Sequence, residues 1–143
     1  MIGIDVDTWI YETITAAVAG TAAAGRVYGE YIPQDDTAYP AVTFSEVDPG
    51  SPVYAAGDGT QVVWENILVD VKVHTIGTHW GAGRAIINAI LPALEARGET
   101  DNLWIRVCRR EGSAIKQYEI VDGVRYNAIG YQFLISAQAK GDE

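Results

Sequence analysis

The sequence predicts an α+β subunit, an antiparallel or mixed sheet with two helices packed on one of its faces. Three observations carry this. Two segments repeat apolar residues at helical spacing. One stretch, Gln61–Thr75, alternates valine and isoleucine over an unusual length. The C-terminal third contains Val121-Asp122-Gly123-Val124, whose Asp-Gly centre is a strong signal for a tight two-residue hairpin. Helices and hairpins fall in separate blocks, which favours layered α+β packing over alternating parallel units.

In chain order, residues 5–19 read as the first helix. Val6, Trp9, Ile10, Ile14, Ala17 and Val18 form its apolar stripe, with Asp5 or Asp7 suited to its start and Gly20 to its end. A short strand is expected at Arg26–Tyr28. Pro33, Asp35, Asp36 and Pro40 then mark an irregular segment, and residues 41–47 alternate as a strand. Residues 48–60, DPGSPVYAAGDGT, read as a long loop, either a contact loop or a mobile tip.

Gln61–Thr75 follows without Gly or Pro. Ile67, Val69, Val71 and Val73 share one side, as the period of two requires. Fifteen residues in strand geometry span about 50 Å, longer than one domain's core needs. Val62, Trp64 and Leu68 make the opposite side apolar as well, so that half of the strand is expected to be covered twice.

A second helix is expected over Thr78–Arg97. Thr78 would cap it, Gly83, Ile86, Ile87, Ile90, Leu91 and Leu94 would face the core, and Pro92 would kink it. Gly81 and Gly83 would let it approach a sheet closely. Three strands are then expected. In the first, Leu103, Ile105 and Val107 face one way and Trp104, Arg106, Cys108 and Arg110 the other. Ala114–Val121 and Val124–Ala137 pair as the hairpin, and residues 140–143 fray.

With 143 residues, 48% hydrophobic, the chain suits one domain spanning 1–143. The formal net charge of −9 argues against a generic nucleic-acid binder. One cysteine excludes an intrachain disulfide framework and a CxxC metal site. No secretory signal and no membrane span is expected, so assembly in the cytosol fits.

The inventory for catalysis is thin, and no catalytic, cofactor or metal residues are assigned. His74 and His79 share no regular element that would hold them together as ligands. Cys108 has no placed base, and the glycines of GTHWGAGR lack phosphate-loop spacing. Arg106, Arg109 and Arg110 form the one basic cluster, extended by Lys116 and Arg125. It reads either as a solvated strand face paired with Glu111 and Glu119, or as an inter-subunit or DNA-facing patch. Four Trp and eight Tyr exceed what a small core needs and can anchor protein contacts.

The order of pieces carries a resemblance. GRVYGEYIPQDDTAYPAVTFSEV holds a Gly-Arg-Val-Tyr element, a proline, and a Pro-x-Val-x-Phe opening to a strand. A valine-alternating strand, the helix AGRAIINAILPAL and the aromatic strand RYNAIGYQFLI follow. The chain resembles the tail completion, or tail terminator, proteins of long-tailed bacteriophages over residues 6–137, most strongly at Gly25–Tyr28, Tyr39–Phe44 and Leu68–His74. The long loop at 48–60 and the internal Pro92 depart from that pattern.

The resemblance implies a structural virion protein, not an enzyme, forming a homohexameric ring on the tail tube. Such a ring ends tube polymerisation and joins the tail to the head or neck, so its partners would be itself, the tube protein and a neck or head-completion protein. Six touching spheres of this chain's size, about 37 Å across, leave a hole about one sphere wide. DNA would pass through it without sequence-specific binding, past an acidic wall. Val62, Trp64 and Leu68 are then the expected subunit interface, Val53, Tyr54 and Asp58 the tube or neck contact, and Arg106, Arg109 and Arg110 a charged contact patch. Another ring component of the tail or neck is the alternative, and a small enzyme a more distant one.

Overall fold

The computed structural model describes residues 2–30, 32, 39–54, 62–78 and 80–140; of residues 2–5, 48–54 and 62–63 it describes the backbone alone. The elements are α1 (Ile2–Val18), β1 (Val27–Gly29), β2 (Ala41–Tyr54), β3 (Val62–Ile76), α2 (Gly81–Leu94), β4 (Gly98–Glu99), β5 (Leu103–Val121) and β6 (Val124–Ala139). They build one six-stranded mixed sheet in the order β1-β2-β3-β6-β5-β4, curled into a half-barrel, with both helices on one face. The α+β expectation holds.

The predicted stripes bury as the periodicity requires. In α1, Val6, Trp9, Ile10, Ile14 and Val18 are buried; in α2, Gly83, Ile86, Ile87, Ile90 and Leu94 are. Beneath them lie Ile67, Val69, Val71 and Val73 of β3 with Ile129, Phe133 and Ile135 of β6. The β3/β6 register brings these into rows: Val73 opposite Ile129, Val69 opposite Phe133, Ile67 opposite Ile135. A Cβ added at Gly83 would stand 2.7 Å from Ile129 Cγ2, so only a glycine lets α2 lie this close to β6. Gly81 has open space around it and plays no such part.

The second helix is shorter than expected. It starts at Gly81 behind Trp80, with no side-chain cap, so Thr78 does not cap it. Its end at Leu94 puts Pro92 in the last turn, where Glu95 N donates to Leu91 O at 2.9 Å.

Two strands are longer than their composition suggests. Residues 48–54, expected as loop, continue β2, pairing Asp48 with Leu68, Ser51 with Asn66 and Val53 with Trp64. Register shifts after Glu46, Asp48 and Val53 absorb the awkward residues. Pro49 and Pro52 are tolerated because β2 has β3 on one side only there, and an edge strand can spare an N–H. The rest of the expected loop, 55–60, lies outside the described residues.

Likewise 103–110 and 114–121 fuse into a single β5. Three residues, Gly112, Ser113 and Ala114, stand opposite Tyr131 alone, with Gly112 at φ +73°. A second shift at Arg106 reverses the expected facing beyond it. Val107 turns out to solvent beside Ser136, while Cys108 turns in beside Ile135. The two-residue strand β4, which the sequence reading passed over as connection, pairs with Trp104 and Ile105.

Candidate assembly surfaces

Of the expected interface residues, Trp64 and Leu68 sit on the helix-free face of the sheet. Trp64 pairs with Val53 and Gln138, and Leu68 with Asp48 and Leu134; both side chains are half-buried. Val62 pairs with Tyr54, but the side chains of Val53, Tyr54 and Val62 lie outside the described residues, as do all of Asp58 and His79. From Trp64 to Leu68, β3 has a strand on each side. Its main chain there lies between two strands, and what Trp64 and Leu68 offer a partner is side-chain surface.

The three arginines split between the faces. Arg106, at the register shift, donates from Nε to Gln138 Oε1 at 3.0 Å and stacks over Trp104 at 5.1 Å. Arg109, well exposed, lies 3.3 Å from the half-buried Glu111 on the helix-free side. Arg110 reaches Glu95 at the end of α2, 2.6 Å away, and lies over Tyr131. Glu95 was not foreseen as a partner, and no ion pair to Glu119 is present among the described residues. Exposed pairs of this kind add little stability.

Lys116 and Arg125 form a separate group. Both lie over Trp80, at 4.9 and 5.2 Å, and Arg125 also covers Tyr118 at 4.2 Å. They stand at the base of an arm in which β5 and β6 run on past the last residue of β3, Ile76, which pairs with Tyr126. At its base Tyr118, level with Thr75, is 61% exposed, and on the arm itself Ile120 is 63% exposed, with Val121 and Val124 also open. The hairpin around Asp122-Gly123 is the one the sequence predicts; its run past the end of β3 is not predicted by it.

A second missed feature is acidic. Asp7 on α1, Glu30 after β1 and Glu65 on β3 all lie close enough to Glu46 on β2 to act on its charge. Burial first, then Asp7, Glu65 and Glu30, raises the Glu46 carboxyl above its ordinary range. Burial first and then Glu30 does the same to Asp7. None of the four is ion-paired among the described residues.

The residues weighed for chemistry stay apart. Cys108 is level with Ile67, through Ile135, whereas His74 is seven residues further along β3 and on the opposite face. That is a separation of roughly 23 Å. Burial, and then Glu95, pushes the Cys108 thiol up to about 12, which holds it protonated. His74 shares a 2.8 Å hydrogen bond between its Nε2 and Thr43 Oγ1, and burial followed by the Lys72 charge lowers it to about 4. It is neutral at pH 7 and ties β3 to β2. Asn127 donates to Gly77 O at 2.8 Å and accepts from Arg125 Nε, pinning the turn between β3 and α2. Among the described residues no group of His, Cys, Asp and Glu could hold a metal ion, and no helix is long and apolar enough to cross a membrane.

No family model matches the chain, and neither does any curated protein. Among solved structures it is similar to a chain of one described as "Virion of native gene transfer agent (GTA) particle". The two are 14% identical, with a TM-score of 0.49, over 89% of this chain and 91% of that one.

Proposed function

We propose that this chain is a structural virion protein. It is the subunit of a hexameric ring that caps the tail tube of a long-tailed phage, ends tube polymerisation and joins the tail to the head or neck. One observation carries the reading. The three segments that most resemble tail terminators, separate in sequence, are neighbours in the sheet. Gly25–Tyr28 leads into β1, Tyr39–Phe44 opens β2 and Leu68–His74 is the middle of β3. Val27, Val42 and Val73 lie in one row across them. A scattered set of short matches is thus one continuous patch of fold.

The exposed apolar arm and the surplus strand length fit a chain that completes its surface by assembly. In this reading Val62, Trp64 and Leu68 pack against another subunit through side chains, and Val53, Tyr54 and Asp58 meet the tube or neck. Arg106, Arg109 and Arg110 face a neighbouring chain, and DNA crosses the lumen unbound.

Negative-stain imaging of the purified full chain tests the proposal. Discrete six-fold rings are expected, one ring thick; open-ended tubes would instead make it a tube subunit. Trp64→Asp should leave the monomer folded and abolish rings. Unchanged hexamers by size exclusion with light scattering would remove Trp64 from the interface.

A further inference from the structure

The sheet ends in two open edges, and their charges are opposite. β4 covers β5 only at Trp104 and Ile105, so among the described residues Arg106–Val121 has β6 as its only strand neighbour. At the other side β1 covers β2 only at Val42, Thr43 and Phe44, and Glu30 N donates to Phe44 O just beyond. From Ser45 to Tyr54 β2 then has β3 alone among the described residues. Rows of unpaired main-chain groups this long are ready to accept another strand.

In a chain of formal net charge −9, β5 carries Arg106, Arg109, Arg110 and Lys116 against Glu111 and Glu119. The β2 side carries the acidic group Asp7, Glu30, Glu46 and Glu65, none of them ion-paired among the described residues. That group alone would mark nothing. Its meaning comes from the basic edge across the sheet.

Direction and level agree with charge. β2, β3, β6 and β5 alternate in direction, so β5 runs opposite to β2. A second copy set beside the first in the same orientation therefore brings its β2 antiparallel to the first copy's β5, and the alternation continues unbroken. Arg110 pairs with Phe133, Phe133 with Val69, and Val69 with Glu46, so Arg110 and Glu46 end the same row. That row lies on the helix side, where Phe133 and Val69 are buried. With no shift along the strands, Arg110 of one copy meets Glu46 of the next. Its Nε holds Glu95, and a guanidinium has further N–H groups to offer a second carboxylate.

We propose that copies of this chain join head to tail, the open edge of β5 in one antiparallel to the open edge of β2 in the next, with Arg110 against Glu46. Two-fold pairing of β5 with β5 would set cations against cations, and β2 with β2 would set acids against acids; both are penalised. A head-to-tail contact uses two different surfaces and closes into a ring when the rotation per copy allows. The inference rests on the ring reading above for self-association and adds the junction.

The test is charge reversal in the full chain, read by sedimentation velocity, with thermal melts to report the fold. Arg110→Glu and Glu46→Arg should each raise the concentration for half-assembly at least roughly tenfold, and the double variant should return towards wild type. An equimolar mixture of the two single variants should assemble better than either alone. If Glu46→Arg fails to fold, Arg109→Glu, at a side chain 64% exposed, reverses the same edge without touching the core. Single variants that assemble like wild type, or a double variant no better than the singles, would overturn the junction. Six-fold rings of Arg110→Glu in negative stain would overturn it while leaving the ring reading intact. A wild-type chain that stays monomeric at every concentration would overturn both.

Discussion

The β5/β6 ladder has two ends built from the same backbone and opposite environments. At one end Ile105 and Cys108 stand opposite Ala137 and Ile135 beneath the helices, all four buried, as is Leu103 beyond them. At the other, Tyr118 and Ile120 pair with Asn127 and Arg125 and are left mostly to solvent. Main-chain pairing resumes at Ile115 after the irregularity at Gly112–Ala114 and runs on to Val121, so hydrogen bonding sets how long these strands are and burial does not. Apolar side chains on a well-paired but uncovered ladder cost little in the monomer. They become useful when something else covers them.

The hardest way to break the comparison is at the residue between the two ends. A Cβ at Gly130 would stand 1.8 Å from the carbonyl oxygen of Val71 in the neighbouring strand, and backbone cannot swing aside as a side chain can. Gly130→Ala should cost more than about 4 kcal/mol or prevent folding, measured by urea denaturation. A stable, cooperative variant would mean that β3 and β6 are not so closely pressed.

The same substitution at each end measures the contrast directly. Ile135→Ala removes a side chain 1% exposed and should cost about 3 kcal/mol. Ile120→Ala, on the arm, should change monomer stability by less than about 0.5 kcal/mol. Similar losses at both sites would show that the arm is part of the core.

Legibility in the sequence follows the same division. The stripes of α1 and α2 and the alternation of β3 were readable because each is a local period imposed by one covered face. The extension of β2 through Asp48–Tyr54 was not, since Pro49, Gly50 and Pro52 speak for a loop and only the spare length of β3 makes them a strand. Arg106, Arg109 and Arg110 stood out as a charge cluster, whereas Glu95 arrives from another element. The acidic group was hidden more deeply. Asp7, Glu46 and Glu65 come from three elements and Glu30 from the connection after β1, and they meet only in the folded sheet.

His74 probes the boundary region by pH. Its folded value, lowered to about 4 from 6.5, means the fold favours the neutral ring. The contribution is therefore present in full above pH 6.5 and lost as pH falls from 6.5 towards 4, by up to about 3 kcal/mol. His74→Gln can keep a hydrogen bond to Thr43 and has no such titration. The stability difference between the two proteins should shift in favour of the variant over that window. A difference that stays flat would mean His74 is open to water.

The smallest expected effect tests whether the β2 edge is unfinished in the monomer. Because the Glu46 carboxyl is raised in the fold, its contribution is favourable below the ordinary carboxylate range and is lost as pH rises through its raised value. At neutral pH the charged side chain therefore works against the monomer, beside three other acids and with no ion pair among the described residues. Glu46→Gln should stabilise the monomer at pH 7 by no more than about 0.5 kcal/mol, since solvent screens a partly exposed group, and the gain should vanish in acid. The same change should weaken self-association, because the neighbour's Arg110 loses its carboxylate. Opposite signs in the two measurements would mark Glu46 as a residue placed for the assembly at some cost to the subunit. A loss of monomer stability at pH 7 would show instead that its charge is already answered within the chain.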